Sequence, residues 1–279
     1  MPAAPAALPL STLLARARVD GDALRFEIGA DWLQGRSAFG GLVAALGVHA
    51  LRERLRAEGV EPPPLRALQT SFVAPVDAGA VEVIAQRLRS GRSAHQAMAQ
   101  LRQDGQVRSV LMAVFAAERD SAIEPLRPHR PDDVPPPQAL PPVPYVAGAA
   151  PPFLQHFDMR WAGGPPPYSG GRGHTNQMHL RLRDPAPQVV DDELLAVLLA
   201  DVAPTPVIGQ PRERVPASSV TWALELRTDP HRRSDPLAWW RADTEALAVD
   251  GGLVNQAARL WAPDGRLAAL GTQLVAVFG

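Results

Sequence analysis

Two Asp-Gly pairs constrain this chain more than any other feature. Asp104-Gly105 and Asp264-Gly265 lie 160 residues apart, and each separates two runs of alternating apolar and polar residues. Asp-Gly in that setting is a strong hairpin signal, because both residues tolerate the positive φ that tight turns require. The same order of elements recurs upstream of each pair. In the first half, strands over residues 13–19 and 23–28 precede a helix that starts near Ser37. Phe39, Leu42, Val43, Leu46 and Ala50 mark the apolar face of that helix, which ends in the charged stretch Arg52 to Arg56. Strands follow over 66–72, 81–90, 94–102 and 107–117. In the second half a strand over 177–183 precedes a helix over 191–202, acidic in its first turn and stopped by Pro204. Strands follow over 218–227, 237–247, 253–261 and 267–278. The offset of 160 also sets Gln96-Ala97 against Gln256-Ala257. This repetition predicts an internal duplication of an α+β unit, in which one long helix covers a run of antiparallel strands.

Proline marks the join. Sixteen of the 30 prolines fall between Glu124 and Pro187. Proline fixes φ and lacks the amide donor, so this stretch cannot be continuous helix or central strand. The predicted organisation is an N-terminal half over 1–120, a proline-rich linker over 121–155 that wraps the surface, and a C-terminal half over 156–279. A short strand is expected near 157–161.

Composition narrows the chemistry. All 28 basic residues are arginine, and there is no cysteine. Without lysine there is no Schiff-base or P-loop chemistry, and without cysteine no thiolate nucleophile, thiolate metal site or disulfide. A net charge of −1 speaks against a nucleic-acid partner or a polybasic membrane contact. The longest apolar run, 39–51, is interrupted by His49 and falls short of the roughly 20 residues that a membrane span needs. The N-terminus lacks a basic stretch before its apolar residues, so a cytoplasmic protein is expected.

Several motifs resemble a known family. Gly35-Arg36-Ser37-Ala38-Phe39-Gly40-Gly41, preceded by Trp32, resembles the helix entry of acyl-CoA thioesterase II-like double-hotdog proteins. Ser71-Phe72-Val73-Ala74-Pro75 is similar to a strand motif of that family, and Arg89-Ser90-Gly91-Arg92-Ser93 to the turn before its next strand. The resemblance covers nearly the whole chain outside the proline-rich middle. It implies two fused hotdog halves that hydrolyse acyl-CoA thioesters with no cofactor, no metal and no covalent intermediate. It also implies an acyl-CoA partner, and pairing of double-hotdog units into homo-oligomers is common in similar proteins. The family's catalytic Asp, hydroxyl and Gln fall on Asp201, on Ser219 or Thr221, and on Gln273.

The residues themselves bear on those roles. Asp201 shares the apolar face of its helix with Leu194 and Leu198, and the helix C-terminus disfavours its negative charge. Both conditions suit a general base, whereas fraying into solvent before Pro204 is the plain alternative. Simple alternation puts Ser219 and Thr221 on one strand face, either in a site or in solvent. Gln273 is the sole amide on an otherwise apolar face, and at the 160 offset its counterpart is Ala113. Gly40 and Gly41 could bring backbone amides close to a developing oxyanion, or could simply allow close helix–sheet packing. Arg87, Arg89 and Arg92 could meet CoA phosphates, with a solvated arginine face as the alternative. His174 and His179 share no ideal face for a metal, and His95 reads as packing. The Asp-x-Asn-Pro-x-His signature of R-specific enoyl-CoA hydratases on this fold has no match. Two rivals to the hydrolase remain on the same scaffold: a non-catalytic acyl-CoA binding protein, and a thioesterase acting on acyl-carrier-protein substrates.

Overall fold

The computed structural model describes residues 7–186, 189–228 and 232–278. Residues 1–6, 187–188, 229–231 and 279 of the two predicted halves lie outside them. The first half begins with a short helix α1 (Leu10–Ala15), then strands β1 (Arg18–Asp20) and β2 (Ala23–Ile28). The helix takes residues 13–15 of the strand anticipated over 13–19, and the strand itself begins only at Arg18. Pro9 stands at its N-cap, and Leu10 and Leu13, one turn apart, are both buried. A two-strand ribbon, β3 (Leu33–Gln34) with β4 (Ser37–Ala38), leads into the long helix α2 (Gly40–Ala57). Strands β5 (Leu65–Phe72), β6 (Gly79–Ser90), β7 (Ala94–Gln103) and β8 (Gln106–Ala116) complete the half.

The second half repeats this with β9 (Phe157–Gly163), β10 (Thr175–Leu182), α3 (Asp192–Leu199), β11 (Ala217–Leu226), β12 (Trp240–Asp250), β13 (Leu253–Trp261) and β14 (Leu267–Val277). All these strands except β3 and β4 join one antiparallel sheet in the order β1-β2-β6-β7-β8-β5-β11-β14-β13-β12-β10-β9. The order reads the same from both ends once each strand is replaced by its counterpart. The seam lies between β5 and β11, where Leu68 pairs with Leu224 and Thr70 with Trp222. This is the duplicated α+β architecture expected, a double hotdog.

Helix α2 is apolar on nearly every side, and Leu42 through Val48 are buried throughout, so it forms the centre of the core rather than a surface element. It ends at Gly59, whose φ of +77° lets Val60 N–H reach Leu55 O and close the last turn. Helix α3 starts with Asp191, whose carboxylate accepts from Leu194 N–H at 2.7 Å. The two helices pack against each other across the join. A buried ion pair fastens them: Arg52 on α2 donates to Glu193 on α3, and their side chains are 6% and 1% exposed. The other Glu193 oxygen accepts from Leu65 N–H at 2.7 Å.

The two Asp-Gly turns differ in one respect that matters below. Asp104 and Gly105 both adopt positive φ, 52° and 75°, in a two-residue turn between β7 and β8. The second turn holds three residues, Pro263 to Gly265, closed by Ala262 N–H to Arg266 O at 2.9 Å, with Gly265 alone at positive φ. That extra residue shifts the pairing. Gln256 is therefore the counterpart of Ala97 and not of Gln96, which is exposed on the outer face.

The proline-rich segment is tied down rather than loose. Arg130 N–H donates to Gly265 O at 2.7 Å, Arg241 reaches Pro131 O at 3.0 Å, and Val143 N–H donates to Met159 O at 3.0 Å. Near its end, Phe153 stacks on Phe39, with centroids 4.2 Å apart, and His156 stacks on Trp32 at 3.8 Å. Among the described residues no helix is long and apolar enough to cross a membrane.

Candidate active site

Helix α3 ends at Leu199, and Asp201 lies in the turn that follows, not within the helix. The turn, closed by Val202 N–H to Leu199 O, directs the Asp201 carboxylate at the start of α2 in the other half. There the backbone amide of Gly41 lies close enough to favour its charged form. A Cβ on Gly40 would stand 2.7 Å from Asp201 Oδ2, and one on Gly41 would stand 2.7 Å from the backbone oxygen of Leu198. The double glycine is thus what lets the N-terminus of one helix meet the C-terminal turn of the other.

Gln273 on β14 completes the connection. Its Nε2 donates both hydrogens, one to Asp201 Oδ1 at 2.9 Å and one to Ser219 Oγ at 2.8 Å. A carboxylate, a hydroxyl and an amide from three separate elements therefore share one network, and all three keep partial solvent access. Burial among protein atoms pushes the Asp201 carboxyl up to about 6 from the ordinary 3.8. Donation by Gln273 and then the nearby Gly41 amide pull the other way, without reversing the shift. Desolvation, rather than the helix C-terminus invoked from sequence, is the main cause.

Thr221 takes no part in this network. Strand β11 carries a bulge: Ser219 pairs with Val275 and Thr221 with Leu274, so Val220 is an extra residue on its strand. The bulge breaks the alternation that would have put Ser219 and Thr221 on one face. Ser219 turns inward with Trp222 and Leu224, while Thr221 is exposed on the outer face with Glu225. The hydroxyl of the network is therefore that of Ser219. Ser219→Ala is expected to lower kcat about ten- to a hundredfold, as for a group that orients the reacting atoms, and Thr221→Val to change it by less than about twofold. Steady-state kinetics on the two variants checks this.

The three arginines suggested for CoA phosphates lie far from this network. Arg87 pairs with Glu58 at 2.5 Å, beside the C-terminal end of α2, and Arg89 and Arg92 are exposed beyond it. Asp201 meets the opposite end of the same 18-residue helix, about 27 Å of helix away. At that separation they form a solvated face remote from Asp201. The histidines have ordinary partners: His95 bonds Ser90 at 2.8 Å, and His179 bonds the Pro135 carbonyl oxygen at 3.0 Å. No group of three or more metal-capable side chains occurs among the described residues.

A pocket of about 590 Å³ lies at the mirrored place in the fold, where the end of α2 meets the start of α3. Counted from the first residue of each helix, His49 stands there where Asp201 stands in the other half. Among the described residues the pocket is lined by Arg52, Arg56 and Glu193 but by no side-chain amide; Arg52 is engaged by Glu193, and Arg56 by Glu53 at 2.7 Å. The two halves have diverged, one keeping carboxylate, hydroxyl and amide, the other an ion pair.

One residue of the network escaped the sequence reading. Gln256 on β13 donates Nε2 to Gln273 Oε1 at 2.7 Å. It shares its strand face with buried Val254 and Leu260, so a lone amide on an apolar face, the same signal that marks Gln273, was available.

With this geometry in place, comparison with known proteins is direct. The chain belongs to the acyl-CoA thioesterase family. The family's N-terminal domain matches residues 28–116 and its C-terminal domain residues 131–277. Acyl-CoA thioester hydrolysis is the activity those two domains carry. Among solved structures, a hot dog fold protein of unknown function from Alicyclobacillus acidocaldarius matches with TM-score 0.78 and 24% identity, over 96% of this chain and 97% of that one. The acyl-CoA thioesterase II TesB2 of Mycobacterium marinum matches with TM-score 0.70 and 19% identity, over 95% and 97%. The TesB protein of Mycobacterium avium subsp. paratuberculosis matches with TM-score 0.72 and 18% identity, over 97% and 100%. At these identities the likeness establishes the fold. No curated protein matches the chain.

Proposed function

We propose that the chain hydrolyses acyl-CoA thioesters with water activated by Asp201, without a covalent enzyme intermediate. The observation that carries this reading is the Gln273 amide bridging Asp201 and Ser219. The carboxylate takes a proton from water as the water oxygen attacks the thioester carbon. A tetrahedral oxyanion forms and collapses, the C–S bond breaks, and the proton held by Asp201 passes to the departing thiolate. The products are the free acid and CoA, and Asp201 returns to its ionised form. A carboxyl near 6 suits the task, being mostly ionised at neutral pH yet a stronger base than an ordinary aspartate.

Ser219 is an orienting group in this scheme, not a nucleophile. Gln273 donates to its Oγ, and an amide cannot take the proton that a nucleophilic serine must lose. The Ser219 hydrogen remains available to the water or the thioester oxygen. The backbone amides of Gly40 and Gly41, at the positive end of α2 beside Asp201, are placed to stabilise the oxyanion.

Free-thiol release measured across acyl-CoA chain lengths, and in parallel with acyl-carrier-protein thioesters, tests the assignment. Turnover on acyl-CoA with no initial burst of thiol supports it. Acyl-CoA binding without turnover at any chain length would instead make the chain a binding protein. Turnover confined to the carrier-protein thioester would move the substrate.

A further inference from the structure

Gln273, the amide that joins base and hydroxyl, is itself held by a second amide. Gln256 sits directly across from it in the β13–β14 register and is only 5% exposed. Its Nε2 donates to Gln273 Oε1, while its own Oε1 is buried with no partner. In the first half the corresponding register pair is Ala97 and Ala113. The paired amides thus occur together in the half that carries Asp201 and are both missing from the half that does not.

A primary amide can turn over, exchanging its oxygen and nitrogen with little change of shape. An ionised Asp201 accepts only, so it selects the NH2 side of Gln273. Turnover, on the function proposed above, places a proton on Asp201, and a protonated carboxyl could donate equally well to an amide oxygen. The carboxylate therefore stops specifying the orientation partway through each cycle. Gln256 adds a second constraint: turning Gln273 over alone would set two NH2 groups against each other, and only a concerted turn of both amides would avoid that.

We infer that Gln256 is a positioning residue, keeping Gln273 in the one orientation that donates to both Asp201 and Ser219 throughout turnover. The inference rests on Asp201 being the base. Stability gives little reason for an amide here: it supplies a donor to Gln273 Oε1 but leaves its own carbonyl buried without a partner, and an apolar pair, as at Ala97 and Ala113, avoids both costs. The retained amide therefore marks function won at the expense of stability.

The decisive variant is Gln256→Met, similar in length and lacking the donor. Its kcat should fall about tenfold, with KM within about twofold of wild type, as for a group that misaligns rather than removes the base. Its melting temperature should stay close to that of wild type, because the lost donor to Gln273 is offset by removal of the unpartnered carbonyl. The acid limb of its kcat profile should move to higher pH, because Asp201 loses a donated hydrogen bond for part of the time. In a Gln273→Ala background the same substitution should change kcat by less than about twofold. Should Gln256→Met fail to fold, Gln256→Asn, whose amide is too short to reach Gln273, carries the same kinetic expectation. Wild-type kcat with an unmoved acid limb overturns the role. So does a loss of kcat with an unmoved limb and a lowered melting temperature, which would make Gln256 a packing residue. Asp201→Asn, run alongside, separates the failures. If it retains full turnover, the base assignment falls and takes this inference with it. If it is inactive while Gln256→Met is normal, only Gln256 is misassigned.

Discussion

Asp201→Asn should lower kcat by about 10³-fold while making the protein more stable. The kinetic loss follows from removing the only carboxylate in the network, an effect in the usual range for a general base. The Asn oxygen can still accept from Gln273, so the surrounding geometry has no reason to collapse. The gain in stability follows from the sign of the shift. Asp201 sits at about 6 in the folded chain against an ordinary 3.8, so the folded state binds the proton more readily than the unfolded state does. Between those values folding stability falls as pH rises, and at neutral pH the buried charge costs about 3 kcal/mol. A neutral Asn avoids that cost. Denaturant unfolding at pH 7 should show wild type less stable than the variant, and the difference should shrink as the pH is lowered from 6 towards 4. A variant that is inactive because it is less stable would contradict this account.

The largest effect on stability should come from Arg52→Met. Arg52 and Glu193 join α2 to α3, and both are nearly inaccessible to solvent. Arg52 also donates to Pro62 O at 3.1 Å and Pro63 O at 3.3 Å, the carbonyls just before β5. Removing the arginine leaves an uncompensated carboxylate in the core, which costs about 3–5 kcal/mol. Replacing both partners, as in Arg52→Met with Glu193→Leu, should recover most of the loss, because two apolar groups leave no buried charge. Recovery should remain incomplete, since Leu65 N–H then loses its acceptor. Chemical denaturation of wild type and the two variants measures this. Arg52→Met within 1 kcal/mol of wild type would mean that water reaches Glu193 in its place.

Much of this architecture was legible from local signals. The two Asp-Gly turns, the apolar face of α2, the acidic first turn of α3 and the stop at Pro204 each act within a few residues, so they could be read without tertiary information. Gln273 was legible for a related reason, as an amide alone on an apolar face. Gln256 carried the same signal on β13, yet its use depends on pairing with Gln273, which only the sheet register supplies. The Ser219–Thr221 ambiguity had a different origin. Ser218-Ser219-Val220-Thr221 reads as an unbroken alternation, and nothing in those residues marks Val220 as extra; the bulge becomes visible only against the partner strand β14. Likewise, Asp-Gly looked equivalent in both hairpins, but Pro263 before the second pair lengthens its turn and displaces Gln256 by one place from its apparent match. The arginines near Ser90 were a matter of distance, since sequence places them close to a family-like turn but not at the far end of α2.

The ionisation of Asp201 is the step on which catalysis depends most directly. Measured as kcat/KM for an acyl-CoA substrate, which reports the free enzyme, the pH profile should show one acid-limb ionisation at about 6, with activity falling tenfold for each pH unit below it. The residual activity of Asp201→Asn should show no such limb. A wild-type profile that stays flat down to pH 4.5, or an acid limb that persists unchanged in Asp201→Asn, would contradict the assignment of Asp201 as the base.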